Sequence, residues 1–191
     1  MQNIIQLFYT GVDMSNDLFD KAIAKQLDEH RDCKEQHIDV LYDPMVLQPK
    51  NGYESCSITV IICHRIVVPN VRQTYKGRFS PRAKRYNDDQ VVLKKSIEHE
   101  VGMMNLINQD VPFVMLDKEW DLQVLMGFYM HREGRLNNIK VIDIDNLQKA
   151  IGDALQGQIF YNDNKINRVY AYKQENDFNY TFINVIGSKK L

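Results

Sequence analysis

Between Ser57 and Val68 the chain carries Ile58, Thr59, Val60, Ile61, Ile62, Ile66, Val67 and Val68, and the run closes on Pro69 and Asn70. Side chains branched at Cβ lose rotamer freedom in a helix and fit a pleated sheet. The run therefore predicts a strand over 57–68, ended by a proline that cannot donate to a ladder. Such a strand needs partners. Leu122, Val124, Met126, Phe128 and Met130 alternate with more polar neighbours, which predicts a half-buried strand over 120–131 with Phe128 and Met130 in the core. A short strand is expected over Ile139–Ile144, and alternating segments near 166–173 and 178–186 finish the chain.

Helical signals lie between these strands. Ser80-Pro81 offers a capping hydroxyl with proline in the first turn, opening a helix to about Asn108 that would bury Tyr86, Val91, Leu93, Ile97 and Met104. Leu147, Ile151, Ala154 and Leu155 give one apolar stripe to a helix over about 146–156. Nearer the start, Ile4–Tyr9 reads as a strand. Ser15 or Asn16 then caps a helix carrying Leu18, Phe19, Ala22, Ile23 and Leu27. Strands and helices mix without a regular βαβ repeat, so the expected class is α+β, a small mixed sheet packed with helices. Pro44, Pro49 and Asn51-Gly52 mark a connecting segment, placing an N-terminal extension at 1–54 and the main domain at 55–191.

A formal charge of −1 conceals a sharp partition. Residues 1–54 sum to −5, residues 55–99 to +6 and residues 100–191 to −2. A locally basic surface on an otherwise acidic protein follows. No apolar stretch approaches the length of a membrane span, and no secretory signal is visible. Three cysteines, Cys33, Cys56 and Cys63, cannot all pair within one chain, which favours a reducing cytoplasm. Cys33 with His37, and Cys63 with His64, lack a further pair at zinc-ligand spacing, so no structural zinc is expected. Acyl-hydrolase and nucleotide-triphosphatase motifs are absent.

Chemistry concentrates in Asp143-Ile144-Asp145-Asn146-Leu147-Gln148-Lys149. On a strand Asp143 and Asp145 would share a face. Lys149 lies four residues beyond Asp145, one helical turn on, and away from the Leu147 stripe. Asn162-Asp163 occupies a turn after the helix, from which a hairpin would bring Asp163 beside the first two acids. Three gathered carboxylates call for a cation, and oxygen-only ligation suits Mg²⁺ or Mn²⁺. Spacing alone also admits a plainer account: an aspartate as helix N-cap, Lys149–Asp153 as an ordinary i,i+4 pair, and Asn162-Asp163 as an ordinary turn.

The run 143–150, then Asp153-Ala154-Leu155, then Asn162-Asp163, strongly resembles the RusA family of Holliday junction resolvases. Its pattern is Asp-x-Asp-Asn-Leu-x-Lys, a helix with Asp-Ala-Leu, and an Asp-Asp pair. Pro69-Asn70, Tyr75 in a basic loop, and Ser80-Pro81 agree in order, so the resemblance spans about 57–186. It implies a small Mg²⁺-dependent homodimeric endonuclease of bacteriophage or prophage type, cutting four-way DNA junctions by paired nicks. By position it makes Asp143, Asp145 and Asp163 the metal-binding acids and Lys149 the catalytic lysine. Two departures stand out: Ile142 where a basic residue is common, and Asn162 in place of the first acid of the pair. Residues 1–50 exceed the compact family core.

With that resemblance, the basic stretch reads as a DNA-binding surface of Arg72, Lys76, Arg78, Arg82, Lys84 and Arg85, interleaved with Tyr75 and Phe79. A solvated charged face is the plain alternative. Arg132, Arg135 and Lys140 would guide the scissile strand, with a plain exposed loop as the alternative. Two symmetric cuts require two sites, hence a homodimer. Two other readings remain: a branched-DNA-binding protein with weak or lost cleavage, and a broader nuclease of flaps or forks.

Overall fold

The long apolar runs assemble into one five-stranded sheet. The computed structural model describes residues 28, 31–32, 35–43, 52–70, 80–131 and 142–190. The strand expected at 4–9, the helix from Ser15 to Leu27, and the prolines at 44 and 49 lie outside the described residues. The chain divides into two compact units, Met1–Glu35 and Gln36–Leu191. In the first, Arg31 pairs with Asp28 at 3.0 Å, an exposed i,i+3 contact.

The second unit contains β1 (His37–Asp43), β2 (Tyr53–Cys63), α1 (Pro81–Ile107), β3 (Asp121–His131), α2 (Ile144–Leu155), β4 (Ile166–Asn176) and β5 (Tyr180–Lys190). The sheet order is β1-β2-β5-β3-β4. All neighbours are antiparallel except β3 and β4, which run parallel and are joined through α2. The class is α+β, a mixed sheet packed with helices. β1 falls in the stretch read as an extension, yet it pairs with β2 at every position from His37–Cys63 to Asp43–Ser57.

The β-branched run becomes a strand that is shifted rather than whole. β2 starts earlier, at Tyr53, and stops at Cys63 because His64 takes a φ of 54°. That left-handed conformation costs a β-carbon-bearing residue about 1–2 kcal/mol. Two contacts hold it: the His64 N–H donates to the Asn179 carbonyl at 2.7 Å, and its ring stacks on Phe178. Ile66, Val67 and Val68 therefore leave the sheet, and the last two are buried in the main core.

Ser80 caps α1 as expected, accepting from the Ala83 N–H at 3.2 Å with Pro81 in the first turn. Tyr86, Leu93, Ile97 and Met104 are buried; Val91 is 55% exposed and does not belong to the core. It follows Gln90, which occupies the inward position of that turn instead. α1 packs on β1 and on α2. The alternation in β3 predicts half-burial, but every residue from Val124 to Met130 is buried, so the strand is covered on both faces; β4 and β5 flank its two edges. Gly127 in this strand leaves room for Tyr172: a β-carbon there would stand 2.5 Å from the Tyr172 hydroxyl oxygen.

Candidate active site

α2 starts two residues earlier than its apolar stripe suggests, and this changes the geometry of the acids. The Asp143 carbonyl accepts from the N–H groups of Asn146 (3.2 Å) and Leu147 (3.3 Å), which makes Asp143 the N-cap residue. The strand expected over 139–144 therefore does not reach Asp143; its first residues, 139–141, lie outside the described set. Asp143 and Asp145 are not alternate residues of a strand. One caps the helix and the other sits in its first turn.

The Asp143 side chain makes no capping hydrogen bond, although the backbone does the capping. Its carboxylate is exposed, as is that of Asp145. Acidic side chains at this end are favoured by the helix dipole. Lys149 is exposed one turn beyond Asp145, where i,i+4 side chains are neighbours. Leu147, Ala150, Ile151, Ala154 and Leu155 hold the opposite side of α2 in the core, so these polar groups face outward.

Asp163 stands at the far end of the crossover. It opens a short 3-10 turn, Asp163–Lys165, just before Ile166, which pairs with Leu122. Near Asp143, by contrast, the Lys173 ammonium donates to the Ile142 carbonyl, and Lys173 pairs with Phe128. The strand from Ile166 to Lys173, at roughly 3.3 Å per residue, puts the two ends ~23 Å apart along β4. The twelve residues of α2 span a comparable ~18 Å. Among the described residues no three His, Cys, Asp or Glu side chains gather closely enough to hold a metal ion. Asp163 is thus not beside Asp143 and Asp145 within one chain. Asn162 has a local duty of its own, accepting from the Asn164 N–H at 3.1 Å.

Of the basic residues, Arg82, Lys84 and Arg85 lie exposed in the first turns of α1. Lys84 and Arg85 line an open cleft of about 680 Å³ together with His64, Arg65 and Asn179. Arg72, Lys76, Arg78, Arg132, Arg135 and Lys140 lie outside the described residues. Asp89, an acidic interruption of the basic stretch, has internal partners. It pairs with Arg65 at 2.5 Å and accepts from the Val68 N–H at 3.4 Å, tying the exit of β2 to α1.

Residues 69–186, well over half of the chain, match the family described as endodeoxyribonuclease RusA. The chain belongs to the RusA family. No curated protein sequence matches it. The match runs from Pro69 through α1, β3, α2 and β4 into β5, so β1 and β2 precede it. RusA proteins are endodeoxyribonucleases, hydrolases acting on DNA. They bind branched DNA junctions and generally depend on divalent metal. No helix among the described residues is long and apolar enough to cross a membrane.

In this RusA chain, residue spacing missed one set of polar side chains. Asn70 reads as a strand terminator, Tyr86 as core and Asp153 as a partner for Lys149. Instead, the Asn70 amide donates to the Tyr86 hydroxyl (2.9 Å) and to the Asp153 carboxylate (3.1 Å), while the Tyr86 hydroxyl also donates to Asp153. Burial, reinforced by the Asp153 charge, pushes the Tyr86 phenol well above its usual range. The available signal was that Asn146, Ala150 and Asp153 recur at i, i+4 and i+7 beside the apolar stripe.

Proposed function

We propose that this protein is a Mg²⁺-dependent, structure-selective endodeoxyribonuclease that resolves Holliday junctions by paired nicks and acts as a homodimer. The observation that carries the reading is the exposed Asp143 carboxylate at the head of α2, which makes no capping hydrogen bond, with Asp145 and Lys149 exposed on the following turns, inside the RusA match. Mg²⁺ is typically held by one or two carboxylates, with waters and substrate phosphate oxygens completing the octahedron. Asp143 and Asp145 fit that demand; Mn²⁺ would serve similarly. Bound there, the ion would supply charge for the phosphate and an acidified water.

The side chains have distinct tasks in this reading. Asp143 and Asp145 hold the ion, with the backbone of α2 fixing their spacing. Lys149 presents positive charge where negative charge builds on the phosphate and on the departing oxygen. Arg82, Lys84 and Arg85 neutralise flanking phosphates without reading sequence. Asp163, far from the other acids along its own chain, would join the site of a second copy. That gives a reason for dimerisation beyond the need for two cuts.

A labelled four-way junction and a matched duplex, each with Mg²⁺ or EDTA, provide the test. Paired nicks in the junction alone, only with metal, and lost in Asp145→Asn while binding persists, are the expected result. Retained cutting in Asp145→Asn would overturn the assigned acids. Junction binding without nicks under Mg²⁺ or Mn²⁺ would overturn the nuclease reading. Flaps cut as fast as junctions would overturn the selectivity.

A further inference from the structure

α2 carries Asp145 and Lys149 behind its N-cap Asp143, and four hydrogen bonds from elsewhere in the chain reach it at three residues, 146, 150 and 153. The Asn70 backbone N–H donates to the Asn146 carbonyl at 2.9 Å, in the first turn. The buried Gln90 side chain donates from Nε2 to the Ala150 carbonyl at 2.9 Å, one turn on. The Asn70 side chain and the Tyr86 hydroxyl then share the Asp153 carboxylate in the last turns. Helical periodicity puts residues 146, 150 and 153 along one flank of α2, and Asp153 lies one turn beyond Lys149 as Lys149 lies one turn beyond Asp145, so the contacts adjoin the row that carries the proposed groups. One residue, Asn70, holds both the first turn and the far end. It also immediately precedes the basic stretch containing Arg72, Lys76 and Arg78.

We infer that Asn70, Tyr86 and Asp153 form a positioning clamp for the active site, setting the axial and rotational placement of α2, and so of Asp143, Asp145 and Lys149, against α1, which carries Arg82, Lys84 and Arg85. This inference rests on the nuclease reading for its catalytic consequence. The clamp residues are positioning residues and touch no reacting atom. Their arrangement suits the role. Asp153 accepts from two donors, and Asn70 supplies amide hydrogens to both Tyr86 and Asp153 while its backbone engages the same helix. Partly buried networks of this kind fix one geometry because any unpaired member carries a desolvation cost.

The donor and acceptor can be exchanged. Asn70→Asp alone sets two carboxylates together, and Asp153→Asn alone removes the shared acceptor. The double variant Asn70→Asp/Asp153→Asn restores an amide facing a carboxylate with the direction reversed, and the Tyr86 hydroxyl can then donate to the carboxylate introduced at position 70. Each single variant should slow single-turnover nicking of a four-way junction in Mg²⁺ by about 10- to 100-fold, the scale of a small misplacement of reacting groups. Junction affinity in EDTA should not change. The double variant should recover most of the rate. Tyr86→Phe, which keeps the ring in the core, should slow nicking without weakening binding, and it stands in should Asn70→Asp fail to fold.

Hydrogen exchange over 144–155 is the readout independent of activity. It should be faster in the single variants and return to the wild-type rate in the double variant. Affinity falling in step with rate, or a double variant no faster than the singles, overturns the clamp as a positioning device. Unchanged exchange over 144–155 in the single variants overturns it as well. A wild-type protein that nicks no branched DNA would overturn the nuclease reading instead, and the exchange data would still decide whether the clamp exists.

Discussion

Lys173 of β4 donates its side-chain hydrogen bond to the carbonyl of Ile142, the residue immediately before Asp143. A β-strand thereby holds the chain at the point where it turns into α2. Ile142 itself carries no charge, and the ammonium bonded to its carbonyl arrives from β4 through Lys173. Replacing Lys173 by Met keeps the stem and deletes the donor. A partly buried carbonyl that loses a charged partner costs about 1–3 kcal/mol. The expected outcome is a lower urea midpoint for Lys173→Met and slower junction nicking at saturating Mg²⁺, with junction affinity in EDTA preserved. Wild-type nicking in this variant would show that the contact does not position Asp143.

The distance from Asp143 to Asp163 along α2 makes a mixing experiment decisive. Suppose each site takes Asp143 and Asp145 from one copy and Asp163 from the other. Asp145→Asn and Asp163→Asn homodimers are then both inactive. A heterodimer of the two variants has one doubly damaged site and one intact site. Co-refolding the variants should restore single nicks to a four-way junction, about half of the mixed population being heterodimer if assembly is random. Mixtures as inactive as their components would place all three acids in one chain's site and refute sharing.

Much of this architecture was legible from periodicity, because burial and strand pairing leave a direct imprint on residue choice. The α1 cap at Ser80-Pro81, the apolar stripe of α2 and the strand around Phe128 follow from local chemistry. What periodicity missed depends on tertiary contacts. His64 interrupts β2 with a left-handed conformation held by the Asn179 bond and Phe178 stacking. Ile144, β-branched and apolar, reads as strand, yet the Asp143 carbonyl has already begun the helix. Spacing and the family pattern single out Asp143, Asp145 and Asp163 as proposed acids, but a turn in sequence does not reveal at which end of β4 Asp163 lies. Asn70 and Asp153 are 83 positions apart, a separation at which no pattern of neighbours operates.

Arg82, Lys84 and Arg85 are exposed on the first turns of α1, and their contribution to DNA binding should be electrostatic. Each phosphate contact releases condensed counterions, so a plot of log affinity against log salt steepens by about 0.9 per contact on duplex DNA. Single alanine substitutions should each make that slope shallower by about 1 and weaken duplex and junction binding alike. Fluorescence anisotropy across a salt series measures both. A variant with wild-type slope identifies its residue as part of a solvated face.

The buried thiol of Cys56 makes a prediction about alkaline pH. Cys56 is 2% exposed, and its pKa is pushed from 9.0 up to about 12, chiefly by burial and secondarily by Glu54. Below pH 9 the thiol is protonated in both folded and unfolded chains, so its contribution to stability is complete. Between 9 and about 12 the unfolded chain releases this proton while the folded chain keeps it. The unfolded state then binds fewer protons, and stability falls as pH rises through that window. Tyr86 adds a loss of the same sign, since burial and Asp153 raise its phenol too. Cys56→Ala removes one titrating group, so its urea midpoint should decline less steeply than that of wild type between about pH 9 and about pH 11. The same burial should protect the wild-type Cys56 thiol from iodoacetamide at about pH 8, because the thiolate is the reactive form. Parallel alkaline declines, or rapid alkylation of Cys56 in the folded protein, would contradict a closed site around Cys56.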